Sequence, residues 1–483
     1  MNVADALSGS AGLEGIRWML NGTPLRALRR ELGALLTAPD MLGSCQLRRV
    51  RFKPGQLLVY YDVHIGAEGD DVHSVRPAAV TWTSYGDGDL HHAAADLAKM
   101  EDEAMRRGLL APFRRLVADA PSSGMHVRVS PLDVRFPQLV RVCDPEYVRD
   151  MVASASAASG RAPDHAPSSR YSVTSIRYRP GQKHVLRYDP LDAPEGRAVF
   201  AKLYSTSEDS ERVFRLAKQI EEWLALRRSG VTSVRPLAHV AEDAVILYPQ
   251  ILGTPLAKHL RHSGQDVASL LKATGAALFA LHQLPVAVAG SLGNRKRPAS
   301  FRAEVKDIAQ TSKHVAALLP SVGATLSAVL GRAQELYERL PLEPPAFTYG
   351  DFKSAHLLIT PDGLTLIDFD SCRLDDPALD VGKFLADLRF WCTVNGQLEL
   401  EQVQEQFLAG YGPGAPAERL VRARLYEVIE LVKETVRRVR LYKGDWAYRT
   451  EQLIGYAQAA LNDFQLGLGP SAEVKKKVKH AYS

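Results

Sequence analysis

The sequence predicts an α+β protein, strand-rich in its first part and helical in its second, and three observations carry that prediction. Two Pro-Gly turns, Pro54-Gly55 and Pro180-Gly181, are each flanked by aromatic and β-branched residues, which is a hairpin signal. From Gly253 onward apolar residues recur mostly at helical spacing. One β-rich island, Phe347 to Asp370, interrupts those helices. Strands first and helices later describe a bilobal α+β architecture.

The chain of 483 residues is too long for one ordinary domain. Hydrophobic residues make up 46% and charged residues 24%, enough apolar material for large cores. Cys45, Cys143, Cys372 and Cys392 are scattered without a C-x-x-C pair, so no zinc knuckle or redox motif is suggested. Met1 to Gly22 carries Asp5 and Glu14 and no basic stretch before an apolar run, unlike a signal peptide. No apolar stretch reaches the about 18 residues of a membrane span. The expectation is a reduced, cytoplasmic protein with no membrane partner. The net charge of +5 is spread thinly except at Lys475-Lys476-Lys477-Val478-Lys479, read as a solvated tail. Dispersed basic residues without a stacking motif argue against a nucleic-acid partner.

Ala153 to Arg170 is small, polar and Pro/Gly-punctuated, and reads as a linker between an N-terminal region, 1–152, and the rest. The first hairpin, Arg51-Phe52-Lys53-Pro54-Gly55-Gln56, resembles the second, Arg177-Tyr178-Arg179-Pro180-Gly181-Gln182, and Val59 matches Val185 at the same offset. A β-rich segment follows each, Ala79–Trp82 and Val199–Tyr204, then a helical pattern over Leu90–Arg107 and Glu208–Arg228. The two blocks read as a duplication, with convergent hairpin chemistry as the alternative. Further helices are predicted over Asp266–Leu284, Phe301–Leu319, Val322–Leu340, Glu401–Tyr411, Ala417–Tyr442 and Thr450–Leu466.

The chemistry concentrates in the island. Tyr349-Gly350-Asp351 precedes a strand, the turn Thr360-Pro361-Asp362-Gly363 and a returning strand that ends in Asp368-Phe369-Asp370. A hairpin brings the acid before it and the acid after it to one end. Two converging carboxylates suit phosphoryl transfer, one orienting the attacking hydroxyl and the other holding Mg²⁺ on the phosphates.

The stretch Y-G-D-F-K-S-A-H, then L-I-D-F-D, then Asp376-Pro377-Ala378-Leu379-Asp380-Val381 resembles the aminoglycoside phosphotransferase and choline kinase superfamily. The family pattern is H-G-D-x-x-x-x-N, I-D-[WF] and D-P-x-x-D-[LIV]. The resemblance implies a protein-kinase-like fold, with an N-lobe over 171–252 and a helical C-lobe over 253–470, followed by a basic tail, 471–483. It implies Asp351 as catalytic base, Asp368 as the main Mg²⁺ ligand and Asp380 as a buried acid bracing the loop. Lys202 would grip the phosphates of ATP or GTP, with Glu221 on the next helix as its partner. Gly181 would lie in the turn over the phosphates, and Tyr248 in the hinge that meets the purine. His282, in A-L-H-Q-L, is expected to pack.

Two positions depart from the pattern. Tyr349 replaces the usual His, a scaffold role that a Tyr serves if its hydroxyl finds a partner. His356 replaces the metal-binding Asn, and imidazole suits Mn²⁺ better than Mg²⁺. Either Asp370 supplies the missing oxygen, or His356 donates to a phosphate, or the site binds nucleotide without turnover. The expected function is transfer of a γ-phosphate to a hydroxyl of a small molecule. The rival is a catalytically silent nucleotide-binding or regulatory module. In the first block Thr81 and Thr83 stand near the place of the phosphate-gripping lysine and no second acid island follows, so on the duplication reading residues 40–152 of the N-terminal α/β domain, 1–152, form a degenerate N-lobe without its own active site, expected to cap, regulate or dimerise.

Overall fold

The computed structural model describes residues 1–66, 74–84, 88–159, 170–192, 196–227, 231–261, 265–285, 300–397 and 399–467. Most of the expected linker, 160–169, and the basic tail lie outside them. Two compact units make up the chain. The first comprises Met1–Phe214, Pro236–Gln250 and Arg440–Lys443, and the second Arg215–Arg235, Ile251–Val439 and Gly444 onward.

The first unit opens on helices α1 (Val3–Ser8), α2 (Gly12–Asn21) and α3 (Thr23–Leu35). Ile16, Met19 and Leu20, and then Leu28, Leu32 and Leu35, are buried at helical spacing, so α2 and α3 each lay one apolar stripe on the core. Asn2 caps α1 by accepting from the Asp5 amide at 2.8 Å. Strands β1 (Leu42–Lys53), β2 (Gln56–Ile65) and β3 (Ser74–Thr83) follow, then helix α4 (Gly88–Arg106), β4 (Val117–Ala120) and β5 (Met125–Val129). They form an antiparallel sheet in the order β1-β2-β3-β5-β4.

Beyond α5 (Pro145–Ser159) the same succession recurs. Strands β6 (Tyr171–Arg179), β7 (Lys183–Pro190) and β8 (Val199–Leu203) lead into α6 (Ser207–Arg227). After β9 (Val231–Ser233), which belongs to the second unit, come β10 (Ala238–Val240) and β11 (Val245–Pro249). This sheet runs β6-β7-β8-β11-β10, so both sheets have one topology. The registers correspond as well. Across the first sheet Arg51 faces Leu58, then Thr81, His126 and Asp119. Across the second Arg177 faces Val185, then Lys202, Ile246 and His239. Thr81 therefore holds the place of Lys202.

The boundary expected at 152 does not separate two cores. Tyr60 and Ala79 of the first sheet share one hydrophobic cluster with Leu186, Tyr188 and Ala201 of the second. Nor is the linker coil from its start, because α5 runs to Ser159. Its alanines are the strongest helix formers, a preference that the small, polar look of the segment masks.

The loop after β5 grips the second hairpin. Asp133 accepts from the Gly181 amide and bonds the His184 ring, both at 2.7 Å. The Tyr178 hydroxyl donates to the Leu132 carbonyl at 2.7 Å, and Arg135 donates to the Gly181 carbonyl at 3.1 Å. Gly181 has φ 72°, as its turn requires. In this structure the Gly181 amide is committed to the Asp133 carboxylate.

In the second unit β12 (Thr254–Pro255) and helices α7 (Leu256–His259) and α8 (Gln265–His282) come first. Helices α9 (Phe301–Thr311), α10 (Lys313–Leu318) and α11 (Pro320–Tyr337) follow. The stretch read as one helix over Phe301–Leu319 is two. Thr311 and Ser312 hydroxyls bond back to the carbonyls of Asp307, Ile308 and Ala309 where the helix breaks. Then come β13 (Ala346–Thr348), the hairpin β14 (Leu357–Thr360) and β15 (Gly363–Leu366), and β16 (Arg373–Asp375). Helices α12 (Ala378–Asn395), α13 (Leu400–Tyr411), α14 (Ala417–Arg438) and α15 (Trp446–Gly467) complete the unit. The hairpin lies between β12 and β9 in a four-stranded sheet, and β13 pairs with β16. Helix α12 is buried nearly all round, which hides it from a search for one apolar stripe. Gly382 lets α12 touch α14, since a Cβ there would strike the Ala423 carbonyl. Among the described residues no helix is long and apolar enough to cross a membrane.

Replacing Asp133 by Ala should leave the buried His184 and the Gly181 amide without their acceptor. A loss of about 1–3 kcal/mol is expected, read as a lower urea midpoint. An unchanged midpoint would mean that the grip does not stabilise the unit.

Candidate active site

The loop between β13 and β14 is held by its own backbone. Asp380, fully buried on α12, accepts from the Tyr349 amide at 2.6 Å and the Gly350 amide at 2.7 Å. His282 Nε2 lies 3.2 Å from the same carboxylate, while its Nδ1 bonds the Tyr411 hydroxyl at 2.8 Å. Gly350 has φ 77°, and a Cβ there would collide with the Ser371 carbonyl. Asp387, two turns beyond Asp380, accepts from the Ser354 amide at 2.8 Å. The Tyr349 hydroxyl donates to the Ile367 carbonyl, next to Asp368. Tyr349 thus ties the loop to the far end of the hairpin.

That hairpin brings the two acids to one end. His356 stands between them, Nε2 at 3.4 Å from Asp368 Oδ2 and Nδ1 at 3.8 Å from Asp351 Oδ2. Asp368 sits in the left-handed region at φ 72°, uncommon for a residue other than glycine. The Ile367 amide on the His356 carbonyl, at 3.1 Å, fixes the adjoining backbone. Asp370 lies half-buried in the turn that follows. Among the described residues no three His, Cys, Asp or Glu side chains form a metal cage. Mg²⁺ needs none, because it takes one or two carboxylates and completes its shell with water and phosphate. Asp368, with its neighbour Asp370, fits that demand.

Two lysines flank Asp351. Lys353 Nζ lies 2.6 Å from Oδ2, and Lys383 Nζ lies 3.3 Å from Oδ1. Burial alone would raise the Asp351 pKa, but Lys383, Lys353 and His356 outweigh it and hold the carboxyl well below the usual range. Lys383 is 1% exposed and bonds Glu430 at 2.7 Å and Glu434 at 3.2 Å. Burial opposes its charge, yet Glu430, Glu434 and Asp351 raise its pKa well above the ordinary value. The ion chain continues from Glu430 to Lys433 at 2.7 Å, then to Glu304 and Arg373 at 2.8 Å each. A second branch runs from Glu434 to Arg438 and on to Asp387 at 2.6 Å.

Sequence reasoning missed Lys353, Lys383 and Asp387. Their signal was present: Asp380, Lys383 and Asp387 lie at i, i+3 and i+7, one face of a helix. Of the expected nucleotide residues, Lys202 is buried in the first unit with its ammonium 5.8 Å from the Tyr204 ring. Glu221, in the second unit, bonds Arg235 at 2.8 Å. Tyr248 pairs with Phe200 near the end of β11.

The family model described as phosphotransferase enzyme family matches residues 191–421, which include the whole loop, hairpin and bracing helix. Those residues belong to that family. The fold is the kinase-like one expected from the sequence. Similar solved structures include choline kinase from Cryptosporidium parvum Iowa II, at 12% identity and TM-score 0.43, covering 66% of this chain and 98% of that one. Ethanolamine kinase from Plasmodium vivax is 12% identical at TM-score 0.39, covering 61% of this chain and 82% of that one. An aminoglycoside phosphotransferase, APH(2")-IIia, in complex with GDP and kanamycin is 16% identical at TM-score 0.41, covering 60% and 93%. No curated protein sequence matches.

Glu304 supplies a test of the ion chain. Burial would raise its pKa, but Lys433 and Arg373 hold it down at about 2 against an ordinary 4.5. Its contribution to stability is therefore present above pH 4.5 and lost as pH falls toward about 2. Acid unfolding followed by circular dichroism should show that part of the fall missing in Glu304→Gln. An identical acid limb in both proteins would rule the contribution out.

Proposed function

We propose that the chain transfers the γ-phosphoryl group of a nucleoside triphosphate, ATP or GTP, to a hydroxyl of a small molecule. The reading rests above all on one observation: Asp351 and Asp368 meet across His356 at one end of a hairpin, inside a phosphotransferase-family segment. The acceptor hydroxyl donates to Asp351, which orients its oxygen toward the γ-phosphorus. As that oxygen bonds to phosphorus, the bond to the β–γ bridging oxygen breaks and the nucleoside diphosphate leaves. Asp351, kept weakly basic by its lysines, accepts the proton late and passes it to water. Lys353 places a cation beside the transferred group. On the family resemblance alone, the nucleotide phosphates are assigned to Lys202 with Glu221, and the base to Tyr248. Asp368 and Asp370 would hold a divalent cation, which neutralises phosphate charge when bound. Nucleoside triphosphates are available in the cytoplasm, where we place the reaction.

Asp351→Asn should lower turnover by about 10²–10⁴-fold with nucleotide affinity nearly unchanged. Nucleotide consumption against a panel of hydroxyl compounds measures it, and full activity in the variant would remove the assignment. Nucleotide binding without any consumption by the wild type would favour the silent module.

His356 is tested by metal preference. As a ligand it should favour Mn²⁺ over Mg²⁺ and lose activity at low pH as the ring protonates. His356→Asn should then move the preference to Mg²⁺. An unchanged Mn²⁺ to Mg²⁺ rate ratio would assign His356 to hydrogen bonding with phosphate.

A further inference from the structure

We propose that the first sheet carries a second, separate ligand site, for a hydroxyl-rich small molecule with one compact anionic group, such as a sugar phosphate ester. A cavity of about 920 Å³ lies against this sheet. That volume is within the range of small-molecule sites. Thr81, in the place of Lys202, lines it together with its cross-strand neighbours Leu58 and His126. Glu101 of α4 lines it too, following Thr81 at nearly the interval by which Glu221 follows Lys202. Thr81 thus stands in the first sheet where the second carries Lys202. The site lies wholly in the first unit, whereas Asp351 and Asp368 belong to the second, so it stands independently of the phosphotransferase reading.

The lining decides the ligand class. Thr81, Thr83, Ser84, Ser122 and Ser123 bring hydroxyls, and Trp18 and Leu97 bring apolar wall. Both carboxylates of the lining, Glu101 and Asp119, are already engaged. Glu101 lies 3.8 Å from Arg115 and accepts from the Leu116 amide, and Asp119 holds the His126 ring at 2.7 Å. Among the described residues Arg128 has no carboxylate within ion-pair distance. The Arg128 guanidinium, which lines the cavity without a carboxylate partner, matches one phosphate monoester or carboxylate, with hydroxyls to satisfy the remaining groups. A triphosphate brings far more charge than this lining neutralises.

Calorimetric titration of the full chain with glucose 6-phosphate, glucose and ATP tests the site. Glucose 6-phosphate should bind, and Arg128→Ala should weaken it by about tenfold or more without lowering the thermal midpoint. Thr83→Val should also weaken it, and glucose should bind less well than its phosphate. Asp351→Asn should leave the binding intact, which separates this site from the phosphotransferase site. Absence of glucose 6-phosphate binding, binding indifferent to both Arg128→Ala and Thr83→Val, or binding abolished by Asp351→Asn would each overturn the proposal. Failure of Asp351→Asn to alter turnover would sink the phosphotransferase reading and leave this one standing.

Discussion

A buried ammonium 3.3 Å from the Asp351 carboxylate is the constraint around which the second unit is arranged. An unpaired charge of this kind would cost several kcal/mol in the interior, so Lys383 must be neutralised wherever α12 carries it. Glu430 and Glu434 do that from α14, and their own charges need Lys433 and Arg438. Each neutralisation draws in another helix, until Glu304 on α9 and Arg373 on β16 close the series. Because members of the series pair with more than one neighbour, removing any one of them takes a partner from another buried charge.

The same arrangement keeps the loop in place without asking the loop to do it. Asp380 and Asp387 project from α12 and take the amides of Tyr349, Gly350 and Ser354, so three backbone groups on either side of Asp351 are anchored to a rigid helix. Tyr349 adds a tie that crosses to Ile367. The long side chain of Tyr349, with a hydroxyl at its tip, gives the loop a fixed end. Geometry set by a helix and a strand is more precise than geometry set by a free loop.

Much of this was legible in the residues. The spacing of Asp351 and Asp368 about a Thr-Pro-Asp-Gly turn announced the hairpin, and Asp380 was placed as a brace by the family pattern. The turn chemistry of Pro54-Gly55 and Pro180-Gly181 announced two hairpins, and the matching sheet order follows from them. Lys383 was not seen, because a charged residue in an apolar helix reads as surface until its partners, far along the chain, are known. The opening helices carry their own signal in apolar residues at helical spacing, Ile16, Met19 and Leu20 and then Leu28, Leu32 and Leu35. Nothing local to Gly181 reveals that Asp133, from a distant loop, takes its amide.

The matching sheets carry a consequence for how the chain assembles. Two hairpins with nearly the same residues, in one unit, are each other's wrong partners during folding, as neighbouring repeats often are. Their turns differ in one respect. Lys53 pairs with Gln56 across two residues, whereas Arg179 pairs with Lys183 across three. The extra residue lies in the turn and leaves the faces matched: Leu57, Val59 and Tyr61 are buried at the places that His184, Leu186 and Tyr188 hold in the second sheet. A strand exchanged between the copies would keep its apolar face inward, so burial alone does not tell one copy from the other.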